Sequence, residues 1–548
     1  MNAPPPSYVS GTSDTPLLGL TLGEALAAAA ERWGAVEAIV SLHQQQRLTY
    51  AQLLQASGRA ARGFLALGLA KGDRVAIWSP NRTEWLVAQY GLALIGAIAV
   101  NVNPAFKRDE LAYVLGHSGC AAIVTAPSFR GHDYLKTVES LRGELPALRY
   151  VVALADAASG GALAWPAFLA GGDGAPVERL RECTARTGFD DPVSLQYTSG
   201  TTGQPKGAAL SHHNILNNGY FVVQRQQLRA GDRLCLPVPF FHCFGIVLGA
   251  MGALTHGVTL VLPGESFESG AVLETVQAER CTALYGVPMM FIAMLAHAEF
   301  DSFDLSTLRA GAMGGAPCPS AVMRQAIDRM HMAGVTVVYG MTETSPISFQ
   351  SMPDDDLEKR VGTIGAVHPH VECKIVDPAS GEVVPRGTSG ELCTRGYSVM
   401  LGYWEDAAAT AKAIDAARWM HTGDLAVMRE DGYVVMVGRS KDTIIRGGEN
   451  IYPREVEEFL HTLPKVADVQ VVGVPDARYG EEVCAWVRLK PGERWTPEEL
   501  RAACRDRIAT FKIPRYVKFV EEYPSTASGK VQKFRIREQA IVELGLTA

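Results

Sequence analysis

Residues 197–207 read YTSGTTGQPKG: four aliphatic hydroxyls, three glycines and one lysine in a stretch with no apolar face to bury. Such a loop can wrap backbone N–H groups, hydroxyls and a cation around a string of phosphates. It is not a Walker A loop, because Lys206 follows Gly203 by three positions and is succeeded by Gly207 and Ala208. A Gly/Ser/Thr linker has a similar composition. Pro205 stiffens the segment, however, and the apolar flanks Val193 to Leu195 and Ala208 to Leu210 read as strands entering and leaving it.

Outward from this loop, helical patterns alternate with short β-rich runs from Leu22 to about Gly340. Helices are expected at Leu22 to Arg32 and Tyr50 to Leu67, and strands at Arg74 to Trp78, Ala121 to Thr125, Thr259 to Leu262 and Ala283 to Tyr285. That alternation specifies an α/β fold with parallel-type sheets, in which ligands sit beyond the carboxyl ends of strands. From about Val361 to Val437 the texture changes to short strands punctuated by Gly and Pro, read as a small β-barrel. A small α+β unit follows, with helices at Pro453 to Leu460 and Pro497 to Ala509 and strands near Val469 to Val472 and Val483 to Leu489. The expected organisation is a large domain over 1–440 and a small carboxyl-terminal domain over 441–548.

Five further strings bear on the chemistry. YGMTETSP, Tyr339 to Pro346, follows the β-branched run Val335 to Val338 and offers an aromatic face, a hydroxyl and a carboxylate at a strand end. HTGDLA, His421 to Ala426, places Asp424 in a polar turn where it could accept hydrogen bonds from a pair of sugar hydroxyls. GRSKDTIIRGGENIYPREVE, Gly438 to Glu457, joins a charged turn, a short strand, a glycine pair and a helix start at Pro453. PSTASGKVQKF, Pro524 to Phe534, sets Lys530 on a Gly-supported loop, a mobile point charge suited to neutralising developing negative charge. PVPFFHCFG, Pro237 to Gly245, sets His242 among aromatics, where a satisfied core histidine is the default reading.

Together these strings resemble the signature motifs of the AMP-binding, adenylate-forming superfamily, in order and spacing over nearly the whole chain. The resemblance implies that Thr198, Ser199, Gly200, Thr201, Thr202, Gly203 and Lys206 cradle the phosphates of ATP. It implies that Gly314, Gly315 and Ala316 of GGAPCP lie beside adenine, with Tyr339, Gly340 and Met341 completing the base site. Thr342 would then meet the α-phosphate, and Glu343, with Thr202, would hold Mg²⁺. Asp424 and Arg439 correspond to the ribose contacts and Lys441 to a domain hinge. Gly447 and Gly448 correspond to the border of the pantetheine tunnel of CoA, and Lys530 to the adenylation lysine. His242 corresponds to a residue that orients the carboxylate or separates acyl and thiol channels.

The resemblance implies that amino-acid-activating relatives place an acidic residue near this segment to hold the substrate ammonium; none lies between Pro237 and Gly245, which favours a simple carboxylic acid. The strings FFHCFG, RGYSVMLGYW and RSKDTIIRGGENIYP look most like medium-chain fatty acyl-CoA synthetases. The implied activity is an ATP-dependent acid–thiol ligase acting through an acyl-adenylate. An aryl-CoA ligase and an acyl-AMP ligase loading a carrier protein share these motifs. A catalytically silent nucleotide- or lipid-binding protein would be expected to lack Lys530, Glu343 or Lys206, and all three are present.

Composition agrees with a small-molecule enzyme. The chain has 548 residues, 47% hydrophobic and 20% charged, enough to bury a large core. A net charge of −7 argues against a broad nucleic-acid surface. Among the ten cysteines the closest pair, Cys235 and Cys243, is eight positions apart, which excludes C-x-x-C zinc or redox spacing and suits a reducing compartment. The longest apolar stretch, Tyr90 to Val100, is shorter than the roughly 20 residues needed to span a bilayer. The expected partners are the carboxylic acid, ATP and CoA, with no nucleic acid, no integral membrane association and a cytoplasmic location. Homodimer formation is left open.

Overall fold

The computed structural model describes residues 4–158, 160–198, 204–316, 318–439, 442–447, 449–505, 507–525 and 531–546. The chain divides into two compact units. One joins Ser10–Glu372 to Thr394–Met420, and the other joins Met1–Val9, Cys373–Cys393 and His421–Ala548.

The larger unit is built on two sheets. The eight-stranded sheet runs Leu163–Ala164, Tyr150–Ala153, Ala122–Thr125, Arg74–Trp78, Ile98–Asn101, Pro192–Thr198, Lys206–Ser211, Gly402–Tyr403. Its first six strands are parallel, and the last two pair antiparallel. The nine-stranded sheet runs Ala366–Val367, Ile347–Gln350, Gly334–Gly340, Ala310–Gly314, Ala283–Gly286, Arg233–Cys235, Thr259–Leu262, Glu37–Ser41, Gln46–Thr49. Six consecutive members, from Gly334–Gly340 to Glu37–Ser41, are parallel. The parallel α/β expectation therefore holds, and for the expected reason: helices connect successive strands and cover them.

Helices Leu22–Trp33 and Tyr50–Ala66 begin at Thr21 and Thr49, each closed by a capping box with Glu24 or Gln52. One continuous apolar core contains side chains of both sheets and of helices Leu22–Trp33, Tyr50–Ala66, Thr83–Leu94 and His212–Arg225. Every residue of Thr83–Leu94 except Glu84 is buried, as expected of a helix that is apolar all round. The apolar stretch Tyr90 to Val100 is accounted for by the end of that helix and the central strand Ile98–Asn101. Among the described residues, no helix is long and apolar enough to cross a membrane.

Most of a five-stranded sheet in the order Tyr8–Ser10, Val371–Val376, Ser389–Gly396, Met420–Met428, Val434–Arg439 belongs to the smaller unit. Its amino-terminal strand was not anticipated from the sequence. A second sheet runs Glu449–Ile451, Ile444–Arg446, Gly480–Leu489, Val466–Asp476, with Tyr516–Phe519 added parallel to Gly480–Leu489. Helix Pro453–His461 starts at its proline as expected and contributes Val456 and Leu460 to a core with Val471, Val483 and Leu500. The helix expected to reach Ala509 stops at Cys504, because Arg505 takes an extended conformation with ψ 141°. HTGDLA lies inside the strand Met420–Met428 rather than in a turn between strands, with Gly423 at φ +70° and a register shift against Val434–Arg439 between Leu425 and Ala426.

Candidate active site

In the larger unit, Thr198 ends one strand and Lys206 begins its antiparallel neighbour, with Tyr197 opposite Gly207 and Thr198 opposite Lys206. The phosphate-type loop thus joins the carboxyl end of a strand that runs parallel to Ile98–Asn101 to that strand's antiparallel neighbour. Ser199, Gly200, Thr201, Thr202 and Gly203 lie outside the described residues, as do Lys441, Gly448 and Lys530. The base of the hairpin is held from two sides. The Tyr113 hydroxyl donates to the Pro205 carbonyl at 3.0 Å, and the Tyr197 hydroxyl is 2.8 Å from His117 Nδ1.

Gly340, Met341, Thr342 and Glu343 leave the carboxyl end of Gly334–Gly340, and Gly314, Gly315 and Ala316 leave that of its parallel neighbour. The register pairs Gly314 with Val338, so the two motifs emerge side by side. Glycine is required at both starts. A Cβ on Gly314 would stand 2.5 Å from the Val338 carbonyl oxygen, and one on Gly340 would stand 1.7 Å from that of Pro346. Gly315 has φ +81°, which a side-chain-bearing residue rarely adopts. Tyr339, half-buried, meets Phe349 edge-on at 6.2 Å.

Thr342–Thr344 forms a single tight turn, pinned where the Met341 N–H donates to the Pro346 carbonyl at 2.9 Å. Glu343 is only 6% exposed, and its backbone carbonyl accepts from the Met400 N–H at 2.9 Å. Its carboxylate accepts from the Tyr403 hydroxyl at 2.8 Å. The Lys206 ammonium sits 5.0 Å above the centre of that tyrosine's ring, within cation–π range. Burial, reinforced by the Glu343 charge, raises the Tyr403 pKa far above the usual phenol value, so the hydroxyl stays a donor.

His242 joins the same edge. It follows strand Arg233–Cys235 in a turn closed by Gly245, where a Cβ would stand 2.2 Å from the Pro239 carbonyl oxygen. The His242 Nδ1 accepts from the Phe244 N–H at 3.1 Å, which places the ring proton on Nε2. The next residue, Cys243, lies 3.7 Å from the Thr342 hydroxyl, so His242 and Thr342 flank a shared thiol. Burial pushes that thiol up to about 12, and it stays protonated. After Cys243 the chain continues as a wide π-helix, Phe244–Met251, buried throughout.

In the smaller unit, Asp424 and Arg439 face each other on adjacent antiparallel strands, and the guanidinium Nε donates to the carboxylate at 2.9 Å. Glu391 clamps the same stretch, taking the Gly423 N–H at 3.1 Å and lying 2.9 Å from His421 Nδ1. Gly447 has φ +59°, with its N–H donated to the Tyr479 carbonyl at 2.8 Å.

Sequence reasoning missed Tyr403, Cys243 and Glu391. Tyr403 and Glu391 sit in strings without phosphate or nucleotide character, and only the sheet order brings them to the motif residues. Tyr403 had one signal, an aromatic after a glycine in GYW, which is weak by itself.

Comparison with known proteins adds three kinds of likeness. The family described as AMP-binding enzyme matches residues 26–404, and the family described as AMP-binding enzyme C-terminal domain matches residues 455–530. The chain is 46% identical over 545 residues to YngI of Bacillus subtilis (strain 168), provisionally named an acyl-CoA synthetase, covering 97% of this chain and 99% of that protein. It is 43% identical over 557 residues to the medium-chain acyl-CoA ligase ACSF2, mitochondrial, of Macaca fascicularis, covering 98% and 90%. Among solved structures it resembles the anthranilate CoA ligase AuaEII in complex with anthranoyl-AMP, with a TM-score of 0.85 at 27% identity over 97% of this chain and 99% of that one.

Proposed function

The chain belongs to the AMP-binding enzyme family, and we propose that it is an ATP-dependent acyl-CoA ligase activating a medium-chain fatty acid. The acid is converted to its acyl-adenylate with release of pyrophosphate, and the acyl group then passes to CoA with release of AMP. The observation that carries this reading is the meeting of a hairpin cation, Lys206, and a buried carboxylate, Glu343, on one tyrosine. A phosphate-binding charge and an acidic residue next to a hydroxyl are what a nucleotide-activating site requires.

In this reading the loop Thr198 to Lys206 takes the phosphates, and the backbone at Gly314, Gly315 and Ala316 approaches adenine closely. Tyr339 stacks on the base, with Gly340 and Met341 beside it, and Thr342 donates to the α-phosphate. Asp424, oriented by Arg439, accepts from the ribose hydroxyls. His242, held with its Nε2–H outward from the Phe244 contact, orients the fatty carboxylate. Positioning and charge neutralisation supply most of the rate in transfers at phosphorus, and Lys530 provides the mobile charge.

The Glu343 carboxylate and the Thr202 hydroxyl are both oxygen donors, a set that fits Mg²⁺, which takes one or two carboxylates plus phosphate oxygens. The ion, when bound, offsets the charge of the ATP phosphates. The acyl-adenylate must be shielded from water until the thiol arrives. The carboxyl-terminal domain, 441–548, would rotate about Lys441, withdrawing Lys530 and bringing Gly447 and Gly448 to the thiol's path. A cytoplasmic location belongs to the same proposal, supported by ten cysteines that are all free.

The test is acid-dependent exchange of labelled pyrophosphate into ATP, and thioester formation, across C2 to C16 and benzoate-type acids with CoA or a carrier protein as acceptor. The proposal expects a maximum at medium-chain acids with CoA. Absence of exchange with every acid would refute it, and a maximum at benzoates would reassign the substrate.

A further inference from the structure

We propose that Tyr403 is a positioning residue that sets the Glu343 carboxylate for the metal–ATP complex while its ring seats the Lys206 ammonium. The inference rests on the reading of Glu343 as a metal-binding carboxylate. It adds to that reading a residue whose place in the site came from the fold rather than from any nucleotide motif.

Tyr403 is fixed before any ligand arrives. Its strand, Gly402–Tyr403, pairs antiparallel with Lys206–Ser211, placing Tyr403 opposite Ala208, two residues from Lys206 and on the same face by the two-residue period of a strand. The Tyr403 N–H is donated to the Thr410 hydroxyl at 2.9 Å, and the neighbouring Trp404 N–H to the Gly207 carbonyl at 2.7 Å. The phenol thus leaves a rigid edge strand and reaches Glu343 at 2.8 Å.

Two effects follow. A carboxylate bonded at Oε1 loses rotational freedom and presents its second oxygen in a defined direction, which lowers the entropy cost of binding a cation that demands strict geometry. The ring, 5.0 Å below the ammonium, holds the lysine on the side of the hairpin facing Glu343 while leaving its N–H donors for phosphate oxygens. Lys206 and Glu343 carry opposite charges and could collapse onto each other. The intervening phenol gives each a partner and keeps both available.

The experiment measures ATP binding by calorimetry without acid substrate, with Mg²⁺ and with EDTA, for the wild type, Tyr403→Phe, Glu343→Gln, the double variant and Tyr403→Leu. Tyr403→Phe keeps the ring and removes only the hydroxyl. It should weaken binding of ATP–Mg²⁺ about tenfold, the usual scale for a hydrogen bond to a charged group, while metal-free ATP binds as before. The double variant should bind no worse than Glu343→Gln, because the hydroxyl acts through that carboxylate. Tyr403→Leu should add a severalfold loss for metal-free ATP, as Lys206 loses its seat.

Equal losses for ATP with and without metal in Tyr403→Phe would indicate general damage and overturn the proposal, as would wild-type affinity or additive losses in the double variant. If Glu343→Gln itself leaves ATP–Mg²⁺ affinity unchanged, the metal assignment fails, and the Tyr403 role with it. Melting temperatures within a degree or two of the wild type establish that each variant is folded.

Discussion

Gly340→Ala should separate the placement of the motif from its composition, because it removes no functional side chain and adds one methyl. That methyl would stand 1.7 Å from the Pro346 carbonyl oxygen and 2.6 Å from its carbon. Contacts under 3.0 Å are essentially never found for real Cβ atoms, so the two strands must part by at least about 1.3 Å. The carbonyl cannot retreat cheaply, since it accepts from the Met341 N–H at 2.9 Å and from the Thr344 hydroxyl at 2.6 Å. Overpacking costs about 1–3 kcal/mol, and straining two hydrogen bonds adds about 1 kcal/mol each, for a destabilisation of about 3–5 kcal/mol. The same shift moves Thr342 and Glu343, and a misplacement of about 1 Å can lower a rate roughly 100-fold. The assay is acid-dependent pyrophosphate exchange alongside equilibrium denaturation, with the rate normalised to folded protein. Retention of more than half the exchange rate with stability within about 0.5 kcal/mol of the wild type would refute this reasoning.

Lys530→Ala should abolish adenylation yet still convert supplied acyl-adenylate to thioester, measured as two separate half-reactions; equal loss of both would count against domain alternation. Arg439→Ala removes a charged hydrogen bond from Asp424 and should raise the KM for ATP about tenfold with a smaller change in kcat. Glu391→Ala releases the clamp on Gly423 and His421 and should raise that KM severalfold without changing the preferred acid, which steady-state kinetics at varied ATP will read. His212 is fully buried with its pKa lowered to about 4 by burial, against a weaker opposing pull from Asp191. It stays neutral in the folded state, while the unfolded state takes up a proton below about 6.5. Stability from this residue is therefore intact above about 6.5 and falls by roughly 1.4 kcal/mol per pH unit down to about 4, a slope that denaturation at pH 7 and pH 5 will show and that His212→Gln will flatten.

The alternation of strands and helices, the polar loop at the end of Pro192–Thr198 and the glycine-led motif after Gly334–Gly340 were all legible from residue order, because each is a local matter. Period-2 and helical patterns, proline and glycine positions and clusters of polar groups act over a few residues and need no partner. The likeness of those strings to a known family then named roles for them.

Tertiary structure alone decided which residues meet. Tyr403 lies 60 positions from Glu343 in the chain, and Cys243 lies 99 from Thr342, yet both pairs touch. So does the amino-terminal strand Tyr8–Ser10 in a sheet made otherwise of residues beyond 370. Sheet order and register set these contacts, and both depend on how large apolar faces bury one another across the molecule. A lone tyrosine after a glycine carries no trace of that in its neighbours, whereas a loop built from glycine and hydroxyls declares its chemistry wherever it is placed.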